Sequence, residues 1–337
     1  VMFSEIAINF LTSAPVCRLM LPLRRQVVPV FLMHRFADDN RGIRGHSLGH
    51  LEDALGYLKR RGYHIISLRD LVESLLANRP LPDKAVAFTL DDGFYDQAEK
   101  ALPVFERHQA PVTVFLATDM QDAQYWSWDY KLEYLFKHTS ENEIKFDFGK
   151  GETKAQFQTA NDKRLLVRRL RHFYKTMPNA VAENAVSDFS KMLHVTLPSS
   201  APSEYQPITW DQARALESDY VEFGPHTKRH PILSQLTDDE AREEIAGSWQ
   251  AISRNLKNPV PIFCFPSGRE GIDFGPREQR MAAEAGLIGA LSADPGYIYL
   301  KRKENTDIFA LKRFSFPDTL AHFKQYCSWL EYAKERL

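Results

Sequence analysis

The run Ala85–Leu90, Ala-Val-Ala-Phe-Thr-Leu, is almost continuously apolar and too short for an ordinary helix. A strand with apolar side chains on both faces must be covered on both faces, as in a parallel sheet wrapped by helices. From residue 27 onward the chain keeps that rhythm. Residues 27–33 read as a strand, after which Ser47 caps a helix with Leu48, Leu51, Ala54, Leu55 and Leu58 at three-to-four spacing, ending at Gly62. Strands are then expected at 64–67, 85–90 and 112–117, with helices at 68–77 and 96–107. The alternation breaks between about 119 and 207, where helical, aromatic and charged segments form a mostly helical insertion. It resumes at Thr209, whose spacing to Gln212 makes a capping box, as does Thr237 with Glu240. Strands at 221–224, 261–265, 288–292 and 308–314, helices to about 255 and over 276–285, and a terminal helix over 318–337 complete the pattern. The expectation is an α/β chain folded as a distorted, TIM-like (β/α) barrel of about seven or eight strands, spanning 27–337 and carrying one insertion.

Composition narrows the partners. Forty-three Lys plus Arg against forty-four Asp plus Glu give a net charge of −1, which provides no overall attraction for nucleic acid. Cys17, Cys264 and Cys327 lie far apart and form no C-x-x-C pair, against a disulfide framework or a cysteine-built zinc site. No apolar stretch approaches the roughly 18 residues of a membrane span. Residues 1–26 read as an amphipathic helical segment in which Phe3, Ile6, Ile8, Phe10, Leu11, Leu19, Met20, Leu21 and Leu23 precede Arg24 and Arg25. A secretory leader has the reverse order of charge and apolar residues. Packing on the barrel and a peripheral membrane contact through residues 3–25 are both open to such a segment. The unpaired thiols favour the cytoplasm or its membrane face, and a periplasmic or secreted location follows if a leader has been removed. Nothing in the sequence speaks to oligomeric state.

Four elements carry chemistry, each at the carboxyl end of an expected strand, which is the active-site end of such folds. Asp91 and Asp92 follow 85–90, and Gly93 permits the turn. Neighbouring side chains diverge in extended backbone, so one carboxylate can serve a cation and the other a proton, although a D-D-G turn is also a common helix entry. His226 and His230 follow 221–224 with prolines 225 and 231 around them, so they sit on a loop and not on one helix face. Two histidines and a carboxylate make a catalytic zinc set with a position left for water. Pro266, Ser267 and Gly268 end 261–265, where a tight turn presents a backbone N–H to an oxyanion. His34 ends the first strand, as a core residue or as a general acid. Tyr125, Trp126 and Trp128 open the insertion and either line a sugar cleft or pack the insertion down, and Asp129 could add a hydrogen bond to a sugar hydroxyl.

With these residues in view, the chain resembles the polysaccharide deacetylases with the NodB-homology domain, carbohydrate esterase family four. Thr89, Leu90, Asp91, Asp92 and Gly93 resemble the family's T-F-D-D-G motif, and His226, Thr227 and His230 its H-[ST]-x-x-H motif. The resemblance implies Asp91 as catalytic base, Asp92, His226 and His230 as ligands of a divalent metal, and the Ser267 N–H as oxyanion donor beside Pro266. Zinc suits the set, and cobalt, nickel or manganese also fit it. Two positions depart from the pattern. Cys264 stands where many members have the arginine that orients the base, and Leu311, Lys312 and Arg313 stand where L-x-H would supply the acid. Arginine cannot give up its proton at neutral pH. The opening Val30, Phe31, Leu32, Met33, His34 and Arg35, however, resembles that of the poly-β-1,6-N-acetylglucosamine deacetylase branch, whose acid histidine comes from this early strand. His34 inherits that role, and Arg313 is the candidate to orient Asp91. The implied activity is hydrolysis of N-acetyl groups on an amino sugar within a polysaccharide or its precursor. Alternatives are an amidase for another C–N substrate, a non-haem iron oxygenase on the same triad, and a carbohydrate-binding protein with impaired catalysis.

Overall fold

A computed structural model describes residues 4–121, 125–147, 151–300 and 307–335. Phe3 of the N-terminal segment and the last two residues of the expected terminal helix lie outside this range, as do a few residues of the insertion. Among the described residues seven short strands build the barrel wall, β1 (Val30–Met33), β2 (Ala85–Leu90), β3 (Val112–Leu116), β4 (Val221–Pro225), β5 (Ile262–Cys264), β6 (Gly289–Leu291) and β7 (Phe314–Ser315), and the two-residue strand His64–Ile65 pairs in parallel with the start of β2. β7, β1, β2, β3 and β4 form one continuous parallel run. β5 and β6 pair in parallel with Cys264 opposite Leu291. Between the two groups a backbone hydrogen bond from Val260 N to Phe223 O (2.8 Å) joins β4 to the lead-in of β5. A bridge from Leu291 to Leu311 leads back toward β7. The ring is therefore closed but uneven, a distorted barrel. Every residue of β2 is buried, as its composition demands.

Sequence expectation and structure part at several points, each with a local cause. The stretch 308–314 is not one strand: the Asp307 carboxylate accepts from Phe309 N (2.8 Å), and this turn leaves only the Leu311 bridge and the two residues of β7. Residues 96–107 begin with wide π-type turns at Gln97–Ala101 before the α-helix Leu102–Arg107, where Pro103 cannot donate to the preceding turn. The insertion contains an antiparallel hairpin, Glu143–Asp147 with Glu152–Gln156, between its helices Trp128–His138, Ala160–Tyr174 and Asn179–Met192. The terminal helix is split into Leu320–Cys327 and Leu330–Lys334 at Ser328, whose hydroxyl donates to Gln325 O (3.0 Å).

The N-terminal segment is also broken, into Glu5–Leu11, Ala14–Leu19 and Leu21–Arg24, the last two each with a proline as the second residue. Ile6, Phe10 and Leu19 are exposed, whereas Ile8 packs with Ala321 and Leu330. The two arginines do not form a free basic edge. Arg25 pairs with Asp83 (2.7 Å), and Arg24 is buried beneath the barrel, its guanidinium donating to Cys327 O (2.6 Å), Ala85 O (2.7 Å) and Val27 O. That side chain ties the N-terminal segment, the start of β2 and the C-terminal helix at one point. Arg24→Ala strands three buried carbonyls, and a loss of about 3 kcal/mol is expected, read from the urea unfolding midpoint against wild type.

Candidate active site

The chemistry-bearing residues collect at the carboxyl ends of the strands. Asp91 N donates to Met33 O (2.9 Å), which extends the β1–β2 pairing to the point where the chain must turn. Asp92 and Gly93 then adopt left-handed backbone, φ 77° and 73°. A Cβ on Gly93 would meet Leu116 Cδ2 at 2.4 Å, so the turn fits only glycine there. The two carboxylates part, as adjacent side chains should.

Asp91 is buried and gripped by Arg313. Nη1 donates to Oδ1 (2.8 Å) and Nη2 to Oδ2 (2.9 Å), a bidentate fork, while Nε donates to Ser292 O (2.9 Å) and Nη1 also to Thr89 Oγ1 (3.0 Å). Burial opposes the charge on Asp91, but the guanidinium outweighs it and holds the carboxyl below its usual range. Cys264 lies against the same pair, its sulfur 3.5 Å from Asp91 Oδ2 and 3.2 Å from Arg313 Nη2. Burial pushes that thiol up, so it stays protonated. The guanidinium thus reaches the base from the segment before β7 and packs against the Cys264 sulfur.

Asp92 turns to the histidines. His226 Nδ1 donates to Cys264 O (2.7 Å), which orients the ring with Nε2 facing Asp92. His226 Nε2 and His230 Nε2 each lie 3.5 Å from Asp92 Oδ1. Thr227 Oγ1 accepts from His230 N (2.9 Å) and holds the loop, in which both Thr227 and His230 have positive φ. Burial pushes His230 down to about 4 despite the nearby Asp92 charge, so its imidazole is neutral near pH 7. Among the described residues Asp92 Oδ1 is buried with no hydrogen-bond partner. Donors held at about 2.0–2.1 Å on a tetrahedral ion stand roughly 3.3 Å apart, so three converging atoms with an orphaned carboxylate oxygen fit a divalent cation. The other oxygen, Oδ2, accepts from the hydroxyl of Tyr130 (3.0 Å), a contact nothing in the local sequence announced.

His34 directly follows β1 and is exposed at this rim. Buried Gln97 links it to the base, its Nε2 donating to His34 O (2.6 Å) and Asp91 O (2.5 Å). The turn after β5 places buried Pro266 and partly exposed Ser267 (φ 58°) before Gly268, and the Ser267 hydroxyl accepts from Lys175 Nζ (2.9 Å).

The insertion's aromatic residues do not offer open sugar platforms. Trp128 is buried in the insertion's own core with Leu132, Phe136 and Phe189, and Trp126 is buried between Tyr134 and Tyr205. Asp129 is likewise engaged, its Oδ1 accepting from Ser127 Oγ (2.6 Å) and Tyr130 N (3.0 Å) at the start of the helix. These side chains pack the insertion down: both indoles are buried among neighbouring rings, and the Asp129 carboxylate is already hydrogen-bonded within the chain.

Comparison with known proteins gives the same fold and a family. Over 91% of this chain and 97% of the other, the structure is similar to that of IcaB from Ammonifex degensii, with a TM-score of 0.56 and 15% identity. It is similar to the deacetylase domain of BpsB from Bordetella bronchiseptica (TM-score 0.52, 17% identity, 86% and 95% covered). The Streptococcus pyogenes deacetylase PplD gives a TM-score of 0.55 at 15% identity, with 87% and 94% covered. In sequence, 61 residues are 31% identical to the poly-β-1,6-N-acetyl-D-glucosamine N-deacetylase of Escherichia coli K12, which is 18% of this chain and only 9% of that relative. The model of the polysaccharide deacetylase family matches residues 78–287, well over half of the chain, and the chain belongs to that family.

Proposed function

We propose that the chain is a metal-dependent N-deacetylase of a polymer of N-acetylated amino sugar, with a β-1,6-linked N-acetylglucosamine polymer as the first substrate to test. The observation that carries this reading is the division of labour between Asp91 and Asp92: one carboxylate is held by a guanidinium, the other faces two imidazoles with an oxygen left over. The short match to the E. coli enzyme supports the choice of substrate.

Asp92, His226 and His230 would hold the ion. When bound, a divalent cation supplies Lewis acidity at the acetamide carbonyl and lowers the pKa of water. Asp91 accepts the proton of the attacking water, and its depressed basicity is balanced by being fully ionised at neutral pH. The Ser267 backbone N–H donates to the oxygen on which negative charge develops. His34, exposed at the rim, gives its proton to the amine as the C–N bond breaks, so acetate and a free amino sugar leave. Arg313 orients Asp91 and supplies what an arginine at position 264 would supply, which removes the main motive for a catalytically impaired binding protein.

Chelator-stripped protein reloaded with zinc is expected to hold about one ion per chain and to release acetate from the polymer. His230→Ala loses both. His34→Ala keeps the zinc but loses about 10²–10⁴ in kcat. Wild type that takes up no zinc sinks the proposal, and acetate release by His34→Ala at the wild-type rate sinks the acid assignment.

A pH test addresses Arg313. Asp91 is depressed relative to the unfolded value of about 3.9, so its contribution to stability is complete above that value and is lost as the pH falls through the folded pKa. Arg313→Met leaves burial unopposed and raises the carboxyl, so the variant's deficit, about 3–5 kcal/mol near neutral pH, shrinks on acidification as Asp91 protonates. Urea unfolding of both proteins at about pH 7 and about pH 4 measures the gap. An equal gap at both would mean that Arg313 does not act on Asp91 through charge.

A further inference from the structure

We propose that Tyr130, on the insertion, is a positioning residue for the metal-ligand carboxylate of Asp92, so that the insertion sets the affinity of the centre in the barrel. This rests on the reading of Asp92, His226 and His230 as a metal site. The phenol donates to Oδ2 of Asp92 at 3.0 Å while Oδ1 faces the two histidines. A hydrogen bond to one carboxylate oxygen fixes the rotation of the group and leaves the other oxygen facing the ion, which makes it a directed ligand.

The geometry around the ring shows why the phenol stays in place. Tyr130 is the third residue of the helix Trp128–His138, and its backbone N–H donates to Asp129 Oδ1 (3.0 Å). Its ring meets Phe94 edge-on, with centroids 5.0 Å apart, and Phe94 follows the Gly93 turn directly. Tyr205 lies 5.7 Å away, and the Arg171 guanidinium sits over the ring at 5.4 Å, donating to Asp129 O (2.8 Å) and Glu133 Oε2 (2.7 Å). Three parts of the chain distant in sequence thus fix one hydroxyl against one carboxylate oxygen. A second, separate contact joins the insertion to the rim, Lys175 Nζ to Ser267 Oγ (2.9 Å), and it does not touch Asp92.

The test is zinc affinity by competition with a chromophoric chelator, on stripped wild type, Tyr130→Phe and Lys175→Met, with thermal melting of each apo protein. Tyr130→Phe keeps the ring and removes only the donor. Its zinc affinity is expected to fall ten- to hundredfold, with an apo melting temperature within a few degrees of wild type and an altered visible spectrum after cobalt substitution. Lys175→Met is expected to bind zinc as wild type does. An unchanged affinity and cobalt spectrum in Tyr130→Phe would overturn the inference while leaving the metal site intact. Equal weakening in both variants would also overturn it, because general loosening of the insertion would then be the cause. Wild type that binds no zinc takes down the metal site itself.

Discussion

The ion pair between Arg313 and Asp91 is the constraint around which the barrel mouth is organised. The guanidinium is buried, and it touches β2 through Thr89 and Asp91, the end of β5 through the Cys264 sulfur, and the chain after β6 through Ser292 O. Burying two charges costs several kcal/mol each and is tolerated only where nearly every donor and acceptor is satisfied. Four hydrogen bonds from one guanidinium meet that condition. Because the same side chain precedes β7, closure of the ring and orientation of the base are a single event.

Of the eight non-glycine residues with positive φ among those described, four lie at this mouth. Asp92, Thr227, His230 and Ser267 all have positive φ without being glycine, a conformation that costs of order 1–3 kcal/mol per residue and survives only where the surroundings impose it. Those surroundings are visible: Gln97 bridges two strand ends, Thr227 Oγ1 holds His230 N, and Gly268 packs so closely on Ala293 N that no larger residue fits. The cost is spent at the turns that aim ligands inward, on a scaffold of short parallel strands.

Much of this was legible before any coordinates. β2 could be read residue for residue because a doubly covered strand has no polar face to blur its limits. The capping boxes at Thr209 and Thr237 form with the expected partners, since a hydroxyl and an amide three residues on have few other choices. What escaped depends on distance in the chain or on context. Tyr130 reaches Asp92 across 38 residues, a separation that carries no periodic signal. The hairpin at 143–147 does alternate buried and exposed residues in a strand's rhythm, yet it lay within a stretch read for helices. Trp126 and Trp128 show the limit of residue type as a guide, because a ring suited to a sugar is equally suited to a core.

The sulfur of Cys264 against Arg313 has a consequence for how such a site can change over time. A side chain at position 264 points at the same carboxylate that Arg313 already occupies. A guanidinium placed there as well would put two like charges on one buried acid, and removing Arg313 alone would leave that acid bare. The two positions therefore form a single epistatic unit, and a lineage could pass between the two arrangements only by way of paired substitutions or a weakened intermediate. The source of the guanidinium would then be a record of descent, readable from two positions far apart in the chain.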